Sequence, residues 1–290
     1  MVALLINLDL KEERNDNEAG KQLNFLNGNI KEIAKDNKKD ISIISSSESK
    51  SEDEKLLNNL DFPINILILD TETTGLDIDN DHCLEVGSIL FNVKSRSVLA
   101  QQSFLLPVDK NNAEKINNIP AEITKLPQPF LEAIKYFESL VNVSDVIIAH
   151  NAEFDKKWFG FDKLPQINKQ WICSMDDISW PIDKQLKSRP SVRDLALAYG
   201  VPVWNAHRAL TDCIYLAEVF KRCSELELLL MRALEPKALF RAEISYEKRH
   251  LAKDAGFRWN DLIKGAWSRK MSRRDSEKLK FPVHEVEFNS

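Results

Sequence analysis

Between Asn65 and Leu76 the chain reads Asn-Ile-Leu-Ile-Leu-Asp-Thr-Glu-Thr-Thr-Gly-Leu. Its unbroken apolar run, Ile66 to Leu69, is the pattern of a strand buried on both faces. Cys83 to Val93 and Val98 to Val108, rich in Val, Ile, Leu and Phe, predict two more strands in a meander beside it. Asn117 to Pro129 carries three prolines and is expected to be a loop. Phe130 to Val141 has apolar residues at helical spacing, and Val146 to Ala149 is a second short buried strand. Ser191 to Tyr199 predicts a helix stopped by Gly200 and Pro202. Arg208 to Ser224 predicts another, with Ala209, Leu210, Cys213, Ala217 and Phe220 inward. A meander followed by alternating helix and strand makes an α/β domain around a mixed sheet.

The two ends of the chain have different patterns. Residues 1–60 are expected to form a partly disordered N-terminal segment: a short amphipathic piece around Leu23 to Ala34, then Lys35 to Glu54, rich in Lys, Asp, Ser and Glu. Such a composition buries too little apolar surface to offset its ordering entropy. Residues 61–234 hold the α/β domain. Residues 235–290 read as a small C-terminal α+β module: a helix from Tyr246 to Ala255 ended by Gly256, a hairpin through Phe257-Arg258-Trp259 and Ala266-Trp267-Ser268-Arg269, then helix and strand. Phe257 and Trp259 lie two apart and are expected on one strand face.

Charge sharpens that division. The formal net charge is −5, yet Lys237 to Lys280 contains 13 Lys and Arg against 6 Asp and Glu. A basic surface interleaved with aromatics suits nucleic-acid contact; the alternative is a small core of tryptophans under a solvated basic face. At 43% apolar residues the whole is not a disordered chain. No apolar run approaches the roughly 20 residues that cross a bilayer, and Val2 to Ile6 is too short for a signal-peptide core, so no membrane partner is expected. Cys83, Cys173, Cys213 and Cys223 have no metal-finger spacing and read as reduced thiols of a cytoplasmic protein.

The chemistry gathers at strand ends. Asp70 and Glu72 stand two apart at the end of the first strand, so they project to one side. Carboxylates forced together raise each other's pKa unless a cation lies between them. Asp155 follows His150-Asn151-Ala152-Glu153-Phe154 after the second buried strand, and Asp212 lies one turn inside a helix preceded by His207. Carboxylates at the strand ends of an α/β sheet suit hard cations, Mg²⁺ or Mn²⁺.

Asp70-Thr71-Glu72-Thr73-Thr74-Gly75-Leu76, His150-Asn151-Ala152-x-Phe154-Asp155 and His207-x-x-x-x-Asp212 together resemble the three motifs of the DEDDh exonucleases. This is the ribonuclease-H-like 3′–5′ exonuclease superfamily that includes the proofreading epsilon subunit of bacterial DNA polymerase III. The resemblance covers roughly residues 64–225 and implies a ribonuclease-H-like mixed sheet flanked by helices. It implies that Asp70, Glu72, Asp155 and Asp212 hold two divalent cations and that His207 is the general base. In the sister DEDDy group a Tyr stands four before the last Asp, where this chain has Arg208. By the same resemblance Thr73, Thr74, Gly75 and Leu76 line the pocket for the terminal nucleotide. Phe154 either stacks on a base or packs in the core, and His150 is expected to support the strand-to-helix turn.

The expected function is removal of nucleotides from the 3′ end of single-stranded DNA, in proofreading or repair, with a DNA polymerase as partner in the first case. RNA 3′-end trimming and a non-catalytic nucleic-acid or polymerase-binding subunit are the alternatives.

Overall fold

The structure is a computed structural model and describes residues 62–204 and 207–287. The expected N-terminal segment, with its amphipathic piece, lies outside those residues.

The first sheet has the order β3-β2-β1-β4-β5, built from β1 (Asn65–Thr73), β2 (Cys83–Asn92), β3 (Ser97–Leu105), β4 (Val146–Ala149) and β5 (Trp171–Cys173). The meander β1-β2-β3 is antiparallel, whereas β4 and β5 run parallel to β1. Around it lie α1 (Phe130–Val143), α2 (Ala152–Lys156), α3 (Val192–Ala198), α4 (Ala209–Arg222) and α5 (Leu226–Ala233). The expected mixed sheet flanked by helices is therefore present.

Alternation along β1 sorts the core into two halves. Ile66 and Ile68 face one side, joined by Ile89 and Phe91 of β2 and by Cys213, Leu216 and Phe220 of α4. Leu67 and Leu69 face the other side, joined by Phe104 of β3 and Ile134, Phe137 and Leu140 of α1. Both halves are buried, which is why the strand is apolar at every position from Ile66 to Leu69 rather than at every second one.

In local detail the structure adds to the expected pattern and corrects it in one place. Asn117 to Pro129 is not all loop: single helical turns occupy Glu114–Asn117 and Ala121–Thr124. The second turn begins just after Pro120, where a missing N–H leaves no helical bond unmade. β1 runs to Thr73 and carries Asp70 and Glu72 in its last four residues, at the expected strand end. β5 and α5 were not legible; β5 has three residues, too few for alternation to register.

The second sheet has the order β7-β8-β6-β9, from β6 (Lys237–Ala242), β7 (Arg258–Trp259), β8 (Trp267–Ser272) and β9 (Val283–Val286), all antiparallel. Helix α6 (Arg249–Asp254) packs Ala252 against Phe240, Phe257 and Met271. Gly256 follows α6 at φ +80°, a conformation open to glycine and costly for other residues. The sequence pattern places neither β6 nor its pairing. Phe257 and Trp259 do not share an environment: Phe257 precedes β7 and is buried, whereas Trp259 is exposed at the far end of this two-residue strand.

Candidate active site

The face assignment that packs the core also assembles the acids. Residues 66, 68, 70 and 72 point to one side of β1, so Asp70 and Glu72 continue the row that packs on α4. On β2, Gly87 lies opposite Asp70 and Glu85 opposite Glu72. Asp212, in the first turn of α4, comes down onto the same row. Asp70, Glu72 and Asp212 each present an oxygen such that all three lie within 4.8 Å of one another.

Asp155 sits on α2, which follows β4, and is buried beside this cluster. One carboxylate oxygen accepts from the Thr71 N–H at 2.9 Å and the Thr71 hydroxyl at 2.8 Å. Thr71 thereby fixes Asp155 against the strand that carries Asp70. His207 precedes α4 with φ 63° and is exposed; its N–H donates to Asp212 Oδ2 at 3.3 Å. Asn205 and Ala206, just ahead of it, lie outside the described residues.

The loop after β1 is held by its own polar groups. Thr73 Oγ1 donates to Gly75 O at 2.6 Å, and Thr74 Oγ1 donates to Asp81 Oδ1 at 3.1 Å. A Cβ at Gly75 would stand 2.2–2.5 Å from the Asp81 carboxylate, so a larger residue there displaces the side chain that Thr74 and the Asp77 N–H hold. Leu76 is 77% exposed, an apolar side chain turned to water beside the acids. Phe154 is half-buried, edge-on to Trp158 with ring centroids 6.2 Å apart, and Lys157 Nζ lies 4.7 Å from its ring. His150 Nδ1 lies 2.9 Å from Ser174 Oγ next to β5, and burial pushes its pKa down to about 4. The ring is neutral at pH 7 and braces the turn between β4 and α2.

The acids are electrostatically loaded. Loss of solvent, followed by repulsion from Asp155, Asp212 and Glu72, raises Asp70 well above the usual carboxylate range. Loss of solvent and then Asp212 push Glu72 up to about 8. Burial raises Asp155 to about 7 against the opposing Thr71 hydrogen bonds, and raises Asp212 to about 6 against the His207 N–H. Such a set is strained alone and relieved by a cation. Its donors are all oxygen, the choice of hard divalent ions, so the residues present fit Mg²⁺ or Mn²⁺.

A supporting pair escaped the sequence reading. Glu85, its side chain 2% exposed, receives Arg208 Nε at 3.0 Å, Arg208 Nη2 at 2.9 Å, the Ala209 N–H at 3.1 Å and the Ser103 hydroxyl at 2.8 Å. It ties β2 and β3 to the N-terminus of the helix that bears Asp212. Gly87 lets that helix approach: a Cβ there would lie 2.3 Å from Leu210 N. The available signal was a glycine inside an apolar strand, which marks close approach of another backbone. Glu85→Ala strands Arg208, Ser103 and a helix N–H at once and is expected to cost about 2–4 kcal/mol, checked by urea unfolding.

The central strand, the helix that follows β4 and the helix that crosses the sheet thus each supply acids to one spot of this mixed sheet. The sequence profile of the family described as "Exonuclease" matches residues 67–220, and the chain belongs to that family. It is an enzyme of the exonuclease class. A second profile, "Domain of unknown function (DUF8626)", matches residues 238–286, the span of the second sheet.

DNA polymerase III subunit epsilon of Treponema pallidum is 28% identical over 159 residues, 52% of this chain and 72% of that protein. A protein of Staphylococcus aureus named 3′-5′ exonuclease DinG is 29% identical over 164 residues, 52% of this chain but 17% of the relative. Among solved structures, the nuclease domain of 3′hExo bound to rAMP, described as a DEDDh family member, aligns at TM-score 0.45 and 13% identity. That alignment covers 55% of this chain and 91% of the other.

Proposed function

We propose that the protein hydrolyses single-stranded DNA from its free 3′ end in a divalent-metal-dependent reaction, in proofreading or repair. The observation that carries this reading is the convergence of Asp70, Glu72 and Asp212 within 4.8 Å. A binding surface for a polyanion gains nothing from clustered acids whose charges repel it. The 3′–5′ direction is supported by the Staphylococcus relative, named a 3′-5′ exonuclease.

Asp70, Glu72, Asp155 and Asp212 would hold two such ions. When bound, they supply the charge that activates water and stabilises the leaving 3′ oxygen. The chain's own residues do the rest. His207, exposed at the head of α4, takes the proton of the attacking water. Thr73 and Thr74 shape the turn that carries Leu76, and Leu76 offers an apolar surface to the terminal base. Glu85 and Arg208 keep α4, and with it Asp212 and His207, in register with β1.

The test uses matched 3′-labelled and 5′-labelled single strands of DNA and RNA with Mg²⁺, Mn²⁺ or chelator. Metal-dependent mononucleotide release from the 3′ end of DNA is expected. Intact strands under every condition overturn the reading, and faster loss of RNA replaces DNA as the substrate. His207→Gln is expected to slow single-turnover release by about 10²–10⁴-fold while metal binding, read by calorimetry, persists.

A further inference from the structure

We propose that the cleft between residues 187–189 and the second sheet is a second contact for single-stranded nucleic acid, stacking a base on Trp259. This extends the proposed function, on which it rests for the nature of the ligand. The cleft encloses about 520 Å³, lined by Lys187, Arg189, Lys253, Arg258, Trp259 and Trp267 among others.

The core of the second sheet is complete without Trp259. Phe240, Ala252, Phe257 and Met271 fill it, with Phe281 edge-on to Phe257 at 5.6 Å. Trp259 is 57% exposed and touches Trp267, its partner across β7 and β8, at 5.9 Å between centroids and 59° between planes. An indole left mostly in water over a half-buried second indole is an open stacking platform.

The surrounding charge selects a polyanion. Four cationic side chains and Asp254 line the cleft; Arg189 is paired with Asp176 and Arg258 with Asp261 at 2.8 Å, so Lys187 and Lys253 are the cations a phosphate would meet. The Lys187–Asp194 pair, 3.1 Å long with side chains 70% and 40% exposed, is screened by water and exchanges readily for a phosphate. The wider segment carries the excess of +7 already described.

The cleft is also fixed to the catalytic sheet. Arg189 binds Asp176 through two bonds of 2.6 and 3.0 Å, Arg269 Nη2 donates to Asp176 O at 3.1 Å, and Lys237 pairs with Asp177 at 2.6 Å. Asp177 in turn accepts the N–H of Cys173, the last residue of β5. Because β1, β4 and β5 are parallel, β5 delivers these anchors to the same end of the sheet as the catalytic acids. A strand seated at its 3′ end among those acids has a basic, aromatic surface on the same side of the molecule.

Binding in chelator isolates this contact from hydrolysis. Fluorescence anisotropy of labelled dT20 should show Trp259→Ala weakening affinity about 10-fold, with Trp259→Phe within about 3-fold of wild type. Lys253→Ala should lower the salt slope of dT20 binding by about one. Equal affinity of Trp259→Ala and wild type for dT20, with an unchanged melting midpoint, overturns the proposal, as does a loss in Trp259→Phe as large as in Trp259→Ala. If wild type released no nucleotide with metal yet dT20 binding still depended on Trp259, the proposed function would fall and this contact would stand.

Discussion

Asp70→Asn is expected to lower kcat/KM by more than about 100-fold while raising the melting midpoint of the metal-free protein. The loss exceeds the 10–100-fold typical of outer-shell partners because Asp70 is itself an expected metal ligand on the central strand. The stability gain has a separate cause. Asp70 is crowded by Asp155, Asp212, Glu72 and Glu85, and its raised pKa measures how poorly the site tolerates its charge. An amide of the same shape removes that repulsion. A relief of about 1 kcal/mol shifts the midpoint of a domain this size by about 2–4 °C. Activity within a few-fold of wild type would remove Asp70 from the catalytic set. A midpoint that fell with the activity would make it a structural residue.

The second large effect is a fall in metal-free stability as pH rises from 6.5 to 8.5, abolished by Mg²⁺ or Mn²⁺. In the folded state Asp155 titrates near 7 and Glu72 near 8, against reference values of 3.8 and 4.5. Above about pH 4 the unfolded chain gives up these protons first, so folding requires that protons be kept or like charges be forced together. Stability from these groups is whole below the unfolded pKa values and drains away as pH climbs through the folded ones. His150 works oppositely, since its folded pKa is depressed to about 4, but its contribution is complete above 6.5 and leaves the upper window clear. A cation that binds the ionised site and not the unfolded chain reverses the trend by mass action. Differential scanning calorimetry across this range, in chelator and in metal, checks it; a flat chelator profile would contradict the strained cluster.

The acids were legible in the sequence because strand alternation and helical periodicity fix which way a side chain points. Asp70 and Glu72 extend the Ile66–Ile68 row, and no tertiary information is needed to put them on one side. Their convergence with Asp212 required knowing that α4 crosses that row and not the Leu67–Leu69 row, and only the resemblance to known motifs carried that. Glu85 was hidden for a physical reason: an acid inside an apolar strand has meaning only through its partners, and Arg208 lies 123 positions away. β6 was hidden because Lys-Ala-Leu-Phe-Arg-Ala is short and mixed. The environment of Trp259 was misjudged because a two-residue strand leaves its neighbours free to leave the plane of the sheet.

The Glu85–Arg208 tie also bears on when the enzyme comes to exist. Most of its sheet forms from neighbouring segments, but the tie closes a loop of more than a hundred residues, the kind of contact that chains form late. Until α4 docks, Asp212 is absent from the other acids. A growing chain on the ribosome can therefore complete its β-meander before the acids proposed to act on nucleic acid are brought together.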